Sequence, residues 1–269
     1  MIGKDLTKKA ETLLRGRVSA ISPLHGGDLS EVFRLMLTDG RSCVAKRGPL
    51  VDREARMLRE IAKTGAHTLA VIGQIDNLLL LQDLPETAPT PNGWRALAET
   101  LRLLHHPIDA PYGWSEDYAF GAQTIRNTPS ENWPEFWAQN RLLDALPLLP
   151  RDLPSRLENL ARALPELLPK APPPALLHGD LWSGNVLFSG DQAWLIDPAS
   201  YVGHGEVDLA MLTLFGAPHP DFDTVYGPLE PGWQTRRLIY QLWPALMHLR
   251  LFGGSYHGMV SERLTRLGF

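Results

Sequence analysis

Apolar and polar residues in the first third of the chain alternate with the period-two pattern that is typical of half-buried strands. A turn-forming pair, Asp39-Gly40, separates two of these runs, and Asp76-Asn77 separates two more. The predicted strands are Val18–Leu24, Glu31–Leu37, Ser42–Lys46, Leu69–Ile75 and Leu78–Gln82. Apolar residues at helical spacing predict helices over Asp5–Arg15 and Asp52–Lys63. This pattern predicts a five-stranded antiparallel sheet with one helix inserted after its third strand.

Three prolines, Pro85, Pro89 and Pro91, interrupt this pattern, because proline continues neither a sheet nor a helix. Beyond them the periodicity is mostly helical. The predicted helices are Trp94–His105 with Asn92 as cap, Trp133–Leu146, Leu153–Leu168 interrupted at Pro165, Glu206–Gly216 and Gln234–Phe252; the predicted short strands are Ala175–Leu177, Val186–Phe188 and Ala193–Ile196. We therefore expect an α+β fold with a β-rich lobe at 1–84, a hinge at 85–93 and an α-rich lobe at 94–269.

Composition and charge exclude several classes of protein. The 269 residues contain 26 Lys and Arg against 30 Asp and Glu, a net charge of −4, whereas a nucleic-acid-binding protein would carry a basic excess. A lone cysteine, Cys43, forms no intramolecular disulfide. No apolar run has the length of a signal peptide core or a membrane span. We expect a cytoplasmic protein without a nucleic-acid or membrane partner.

The most concentrated polar segment is His178-Gly-Asp-Leu-Trp-Ser-Gly-Asn185, which follows an apolar strand. Asp180 and Asn185 are five residues apart, and Asp197 follows after two short strands. Oxygen ligands without thiolates or paired histidines suit Mg²⁺. The spacing also fits phosphoryl transfer, in which one Asp accepts the proton of the attacking hydroxyl while an Asn and a second Asp bind the metal. The alternative is that Asp180 and Asn185 merely cap a tight loop.

Two charged residues in the first third fit the same chemistry. Lys46 ends the third predicted strand, where its ammonium group could reach the α- and β-phosphates of a nucleotide, and Glu54 in the next helix could orient it. Glu54 is chosen over Glu60 because it begins the pattern Glu-x-x-x-Leu, which ends at Leu58. The alternative is a surface ion pair of about 0–1 kcal/mol.

Gly26, Gly27 and Ser30 lie between the first two predicted strands, where backbone N–H groups could approach phosphate oxygens. An ordinary hairpin turn would also explain the two glycines. The chain has no Gly-Lys-Ser/Thr sequence, which excludes a P-loop fold.

These segments resemble the fructosamine kinase (ketosamine 3-kinase) family, within the aminoglycoside phosphotransferase and protein-kinase-like superfamily. The resemblance is carried by His178–Asn185, Ile196–Ser200, Tyr201–Glu206, Asn132–Trp137, Tyr240–Trp243 and Phe252-Gly253. It implies a two-lobed protein-kinase-like fold and ATP- and Mg²⁺-dependent phosphorylation of a ketosamine, at O3 of a fructosamine or ribulosamine. The unstable 3-phosphate would then release the sugar, which amounts to deglycation.

The resemblance also implies roles for individual residues. Asp180 would be the catalytic base, and Asn185 and Asp197 would bind the metal. Lys46 with Glu54 would clamp the phosphates. The segment Gln82-Asp83-Leu84 would present backbone groups to adenine. Asp208 would support the loop that carries Asp180 by hydrogen bonding to its backbone.

Two features depart from the family pattern. The interval from Lys46 to Glu54 is shorter than usual, and Asp28 stands where family members often carry a cysteine.

Three residues are candidates for substrate contact, each with a structural alternative. Trp182 follows the proposed base by two residues and could stack on a sugar face or fill a structural gap. His204 could line the same pocket or serve only at a helix entry, and Trp233 could reach the substrate cleft or pack between the lobes.

Two other functions remain open at this point. One is phosphorylation of an aminoglycoside or another small metabolite, such as choline or homoserine, on the same fold. The other is a non-catalytic nucleotide-binding pseudokinase, although such proteins usually lose the base, a metal ligand or the lysine, and all of these are present here.

Overall fold

The computed structural model describes residues 2–24, 30–144 and 146–269. Its first elements are α1 (Ile2–Leu14), β1 (Val18–Pro23), β2 (Glu31–Leu37), β3 (Ser42–Arg47), α2 (Val51–Lys63), β4 (Val71–Ile75) and β5 (Leu78–Gln82). The strands form one antiparallel sheet in the order β1-β2-β3-β5-β4. The predicted five-stranded sheet with its inserted helix is confirmed.

Both faces of this sheet are covered, which explains the uninterrupted apolar sequence of β5. Successive side chains of a strand point to opposite faces. Leu78 and Leu80 pack in a cluster with Leu6 and Ala10 of α1. On the other face, Leu79 and Leu81 pack with apolar residues of α2. The run Leu78–Leu81 is therefore apolar at every position.

The rest of the chain is mostly helical. It contains α3 (Pro91–Leu104), β6 (Tyr118–Phe120), β7 (Gln123–Ile125), α4 (Trp133–Trp137), α5 (Pro154–Leu167), β8 (Pro174–Leu176), β9 (Val186–Ser189), β10 (Gln192–Leu195), β11 (Val202–His204), α6 (Glu206–Leu212), α7 (Pro220–Tyr226), α8 (Trp233–Phe252) and α9 (His257–Leu267). A π-helical turn spans Ala138–Leu142, and short 3₁₀ turns lie at Leu146–Leu148, Ser183–Asn185 and Gly254–Tyr256. The small strands form three two-stranded pairs, β6 with β7, β8 with β11 and β9 with β10.

Four predicted helices differ from the structure, three of them in their ends or in their continuity. The helix predicted to begin at Trp94 begins at Pro91, because the Thr90 hydroxyl, and not Asn92, accepts a hydrogen bond from Gly93 N at 2.9 Å. The helix predicted over Leu153–Leu168 is not interrupted at Pro165, which lies in its last turn. The helix predicted over Glu206–Gly216 ends at Leu212.

The helix predicted over Trp133–Leu146 is α-helical only as far as Trp137. From there the backbone forms the π turn, in which Leu143 N donates to the Ala138 carbonyl at 2.9 Å. The wider turn accompanies burial of Arg141, whose guanidinium lies 4.2 Å from the ring centroid of Tyr201. Cation–π stacking and hydrogen bonds to carbonyl oxygens compensate for burying this charge.

The largest apolar cluster lies in the helical part and is rich in aromatic residues. A second cluster packs α3 against β9 and β10, directly behind the polar segment that begins at His178. No helix in the described ranges has both the length and the apolar character needed to cross a bilayer. The cytoplasmic location and the absence of a nucleic-acid partner stay predictions.

Candidate active site

Lys46, Glu54 and Asp197 meet in one ion-pair network. The Lys46 ammonium lies 2.8 Å from Glu54 Oε2 and 2.8 Å from Asp197 Oδ1. Lys46 is on β3, Glu54 is in the first turn of α2, and Asp197 follows β10, so three elements distant in sequence converge here. Glu60, the other carboxylate considered in the sequence, pairs instead with Lys63 at the surface.

Both members of the Lys46–Glu54 pair are buried, at 7% and 3% exposure. Burial alone would lower the pKa of Lys46, but the negative charges of Glu54 and Asp197 outweigh it and raise that pKa. Lys46 is therefore a permanent cation. Glu54 Oε1 has no hydrogen-bond partner among the described residues. Because the ion pair is almost fully desolvated, removal of Lys46 would leave the Glu54 carboxylate buried without its partner, whereas removal of Glu54 would leave Lys46 paired with Asp197 alone.

Asp180 and Asn185 are joined across the catalytic loop, which we define as residues 178–185. Asn185 Nδ2 donates to the Asp180 carbonyl at 2.7 Å and to Asp180 Oδ2 at 2.9 Å. Because the amide nitrogen is directed at Asp180, the amide oxygen of Asn185 faces away from it. Two backbone hydrogen bonds on either side of Asp197 connect it to this loop. Ile196 N donates to the Asn185 carbonyl at 3.1 Å, and Ala199 N donates to the His178 carbonyl at 2.9 Å.

The electrostatic surroundings of Asp180 favour its protonated form. Burial is the largest cause and, together with the nearby carboxylates of Asp197 and Asp208, raises the pKa of Asp180 to about 7. The hydrogen bond from Asn185 acts in the opposite direction. A carboxyl group with such a pKa can both accept and release a proton near neutral pH.

Asp208, on α6, braces the catalytic loop from below. Its carboxylate accepts hydrogen bonds from His178 N at 2.7 Å and Gly179 N at 2.9 Å, and it pairs with His105 Nε2 at 3.0 Å. Burial alone would raise the pKa of Asp208, but these partners lower it. The loop backbone therefore rests on a buried, ionised carboxylate, in the geometry predicted from the sequence.

His178 is buried and holds the loop together as a neutral ring. Burial lowers its pKa. Its Nε2 lies 2.8 Å from the Ile196 carbonyl, and its Nδ1 lies 3.3 Å from Asp180 N. A carbonyl only accepts and a backbone N–H only donates, which assigns the proton to Nε2.

The donor set fits Mg²⁺ and a nucleotide. Among the described residues, no three His, Cys, Asp or Glu side chains cluster to hold a metal by themselves. Mg²⁺ commonly takes one or two carboxylates and completes its shell with phosphate oxygens and water. Asp197 and the free amide oxygen of Asn185 provide hard oxygen donors, and Lys46 supplies a fixed positive charge beside them.

The residues predicted to contact adenine lie at the end of β5. Arg34 of β2 forms a bidentate ion pair with Asp83, at 2.9 and 3.1 Å. Gln82 Oε1 accepts a hydrogen bond from Ala70 N at 3.4 Å, and Leu84 packs on the α2 side of the sheet.

Of the residues predicted to approach phosphate, Ser30 is half-buried where β2 begins. Gly26 and Gly27, together with Asp28, lie outside the described residues.

The three candidate substrate residues lie in different surroundings. Trp182 is 40% exposed in the catalytic loop. His204 is mostly buried, and its Nδ1 lies 2.9 Å from the hydroxyl of Tyr240. Trp233 begins α8 and is half-buried beneath the guanidinium of Arg237, 4.3 Å from its ring centroid. Contact of these residues with substrate stays a prediction.

The hairpin β6–β7 adds two residues that the sequence pattern did not indicate. Burial, followed by the charge of Glu54, raises the pKa of Tyr118, and its phenol also lies within the fields of Lys46, Asp197 and Asp180. Glu116, just before the hairpin, pairs with two arginines of α2. Strands of three residues are too short for a period-two pattern to be recognised, so the sequence carries no signal for either role.

Comparison with known proteins gives a consistent result. A family model described as "Fructosamine kinase" matches residues 6–267. A protein of Synechocystis named as a probable ketoamine kinase is 37% identical over 184 residues, which cover 65% of this chain and 62% of that protein. A protein of Enterococcus faecium, also named as a probable ketoamine kinase, is 32% identical over 277 residues, which cover 96% of this chain and 98% of that protein.

Solved structures agree at the level of the fold. A crystal structure from Thermobifida fusca, described provisionally as a fructosamine-3-kinase, superposes with a TM-score of 0.90 at 31% identity and covers 97% of this chain and 98% of its own. The aminoglycoside phosphotransferase APH(4)-Ia, at 16% identity, has a TM-score of 0.69 and covers 99% of this chain and 97% of its own. The fold is the two-lobed, protein-kinase-like α+β fold that the sequence predicts.

Proposed function

We propose that this chain, which belongs to the fructosamine kinase family, transfers the γ-phosphoryl group of ATP to the O3 hydroxyl of a ketosamine such as a fructosamine or ribulosamine. Membership in that family makes the chain a phosphotransferase. The ketosamine substrate, the O3 position and the use of Mg²⁺ are our proposals. We also propose that ATP binds between a lobe at 1–84 and a lobe at 94–269, joined at 85–93.

The observation that supports this most strongly is that Lys46, Asp197, Asn185 and Asp180 form one continuous constellation. Lys46 contacts Asp197 directly, and Asp197 is held by backbone bonds to the loop in which Asn185 contacts Asp180. Neither a tight loop nor a surface ion pair requires these four side chains to converge. A pseudokinase does not require them either, because it performs no phosphoryl transfer.

Each residue has a role in the proposed transfer. The sugar oxygen forms a bond to the γ-phosphorus while the bond from that phosphorus to the β–γ bridging oxygen breaks and ADP departs. Asp180 accepts the proton of the sugar hydroxyl. Lys46 binds phosphate oxygens, and Glu54 keeps the ammonium in place. Mg²⁺, when bound by Asn185 and Asp197, supplies positive charge to the phosphates.

Phosphorylation at O3 would have a chemical consequence for the substrate. A 3-phosphorylated ketosamine is unstable and releases its sugar, which regenerates the free amine. The enzyme would therefore act in deglycation of small-molecule or protein-bound amines.

The decisive experiment offers the purified protein Mg²⁺-ATP with a panel of fructosamines, ribulosamines, choline and aminoglycosides, followed by ADP release and mass spectrometry of the products. We expect ADP release with the ketosamines, together with products that carry one added phosphoryl group and the free amine formed as those products decay. In Asp180→Asn, kcat should fall about 10²–10⁴-fold, since a positioned base contributes a factor of that size. Asp109→Asn, at an exposed aspartate, is the matched control.

Three outcomes would contradict the proposal. A response to aminoglycosides alone would assign the chain to another substrate class. Binding of Mg²⁺-ATP without turnover of any acceptor would make it a pseudokinase. Near-wild-type turnover by folded Asp180→Asn would refute the assignment of the base.

A further inference from the structure

A row of aromatic rings leads away from the catalytic loop across the helical lobe. We define this aromatic strip as Trp182, Phe215, His248, Phe252 and Tyr256. Ring centroids are 6.3 Å apart for Trp182 and Phe215, and 5.0 Å apart for Phe215 and His248. The ring centroid of His248 lies 5.5 Å from that of Phe252 and 5.1 Å from that of Tyr256. The rings thus form one uninterrupted series of contacts.

The strip faces solvent to an unusual degree. Trp182 is 40% exposed, Phe215 45% and Phe252 51%. Scattered exposed hydrophobic residues are normal, but contiguous exposed apolar patches mark binding sites. These rings are contiguous, and burial within the chain does not account for them.

The first ring of the strip is fixed to the catalytic loop. The indole of Trp182 lies across Gly184, where an added Cβ would come within 2.3 Å of the ring. Trp182 also follows Asp180 by only two residues. The strip therefore begins in the same loop that carries Asp180, where the reacting hydroxyl of a bound molecule would lie.

His248 adds a polar group in the middle of the strip. Its Nδ1 lies 2.8 Å from the Pro244 carbonyl. Since a carbonyl only accepts, Nδ1 carries the proton that is donated there, and Nε2 is the ring nitrogen left for a ligand. The strip therefore combines aromatic faces with one acceptor for an N–H donor.

We propose that the aromatic strip is the subsite for the amine-side substituent of the ketosamine, and that it favours substrates whose amine carries an apolar or aromatic group. This proposal rests on the proposed function. A ketosamine has a secondary amine that is protonated at neutral pH, and aromatic faces attract such cations. The substituent on that amine would pack along Phe215 and Phe252, and Nε2 of His248 would accept from an N–H group.

The test compares two substrates that share one sugar, the 1-deoxyfructosyl derivatives of benzylamine and of methylamine. The measured quantity is the ratio of their kcat/KM values. We expect a ratio of about ten in the wild type, because one or two aromatic contacts of the usual strength correspond to that factor. Phe215→Ala and Phe252→Ala should each lower the ratio about threefold to fivefold, and Phe215→Leu, which keeps the apolar bulk, should lower it less.

Leu148→Ala is the matched control, since Leu148 is an exposed apolar side chain, at 69%, outside the strip. It should keep the wild-type ratio. Circular dichroism verifies folding, and Phe252, at the end of α8 and half exposed, provides a variant with little influence on the core.

A wild-type ratio near one, or an unchanged ratio in both alanine variants, would overturn the proposal. Sedimentation provides a second way to overturn the proposal. If the wild type sediments as a dimer, and Phe252→Ala dissociates that dimer without changing the ratio, the strip serves self-association and not substrate binding. Failure of the wild type to turn over either ketosamine would refute the proposed function itself, and this subsite with it.

Discussion

Gly179 occupies a position in the catalytic loop that no other residue fits. Its φ of +82° lies in the left-handed region, and a Cβ there would come within 2.1 Å of the Ala199 carbonyl oxygen. Ala199 belongs to the segment that follows Asp197, and its N–H donates to the His178 carbonyl. The close approach of these two backbones is what brings Asp180 and Asp197 to the same site.

Gly179→Ala should therefore damage the protein in two ways. The left-handed backbone costs an alanine about 1–2 kcal/mol, and relief of the clash requires the two backbone segments to separate. We expect a loss of about 3 kcal/mol or more in the free energy of unfolding, measured by urea denaturation, together with a large loss of kcat.

Gly190→Ala separates the two contributions. Gly190 also has a positive φ, +58°, but an added Cβ there would meet no atom within 4 Å. Its substitution should cost only the backbone strain, about 1–2 kcal/mol. Equal losses in the two variants would contradict the role assigned to the close approach at Gly179.

At the scale of elements, α2 faces two parts of the molecule at once. Glu54 points inward to Lys46, whereas Arg53 and Arg56 on the same helix point outward to Glu116 of the helical lobe. Their distances to Glu116 are 3.0 and 2.6 Å, and Arg53 also donates to the Asp117 carbonyl. This arrangement, which we call the α2 clamp, fixes the helix that positions Glu54.

Glu116→Gln should weaken the α2 clamp without disturbing the core. Its side chain and those of both arginines remain partly solvated, so each pair contributes only about 0–1 kcal/mol. We therefore expect little change in Tm but a rise of about threefold to tenfold in KM for ATP. Raising the salt concentration should increase KM in the wild type more than in the variant.

Glu60→Gln is the matched control for the α2 clamp, because Glu60 pairs on the same helix with exposed Lys63 and does not bridge the lobes. It should leave both KM and its salt dependence unchanged. The same effect in both variants would show that any loss of charge on α2 suffices, which would contradict the clamp.

Elements with a long repeating pattern could be predicted from the sequence. The five strands and α2 show clear periodicity, and Lys46 and Glu54, each at a fixed point of such an element, form an ion pair in the structure. The catalytic loop was identifiable because its polar residues are close together in the sequence. Their convergence with β3 and α2 is long-range, and the spacing of residues alone does not specify it.

The remaining elements depend on tertiary packing. Hairpin β6–β7 and strand β11 have three residues each per strand, too few to show a period. Helices α7 and α9 are absent from the predicted elements, and the π turn after Trp137 accompanies burial of Arg141 against Tyr201, a contact between residues far apart in the sequence. Tyr118 approaches the site through the hairpin, and Glu116, just before it, contacts the outer side of α2, so neither could be found by spacing.

At the scale of the whole molecule, a buried histidine that packs against the largest core makes stability depend on pH. His204 lies among aromatic rings, with Trp133 and Tyr240 in edge contact. Trp133 Nε1 donates to the Tyr240 hydroxyl, which also forms a hydrogen bond of 2.9 Å with His204 Nδ1. Burial is the largest cause that lowers the pKa of His204 to about 3, and Arg236 and His105 act in the same direction.

The lowered pKa of His204 defines the pH range over which the free energy of unfolding changes. A histidine in the unfolded chain takes up a proton below its ordinary pKa of about 6.5, whereas the folded protein keeps His204 neutral until about pH 3. The unfolded state therefore binds more protons throughout that window, and stability is complete above about pH 6.5 and falls as the pH decreases toward 3. Between pH 7.5 and 5, His204 accounts for a loss of about 2 kcal/mol.

His204→Gln tests this directly, because glutamine can accept the Tyr240 hydrogen bond but does not titrate. The variant should be less stable than the wild type at pH 7.5, since it loses ring contacts in the core, yet its free energy of unfolding should fall about 2 kcal/mol less between pH 7.5 and 5. Urea denaturation at both pH values provides the measurement. His106→Gln, at an exposed histidine, should follow the wild type. Parallel pH profiles for the wild type and His204→Gln would show that the ring of His204 is protonated in the folded state and that the aromatic core accommodates its charge.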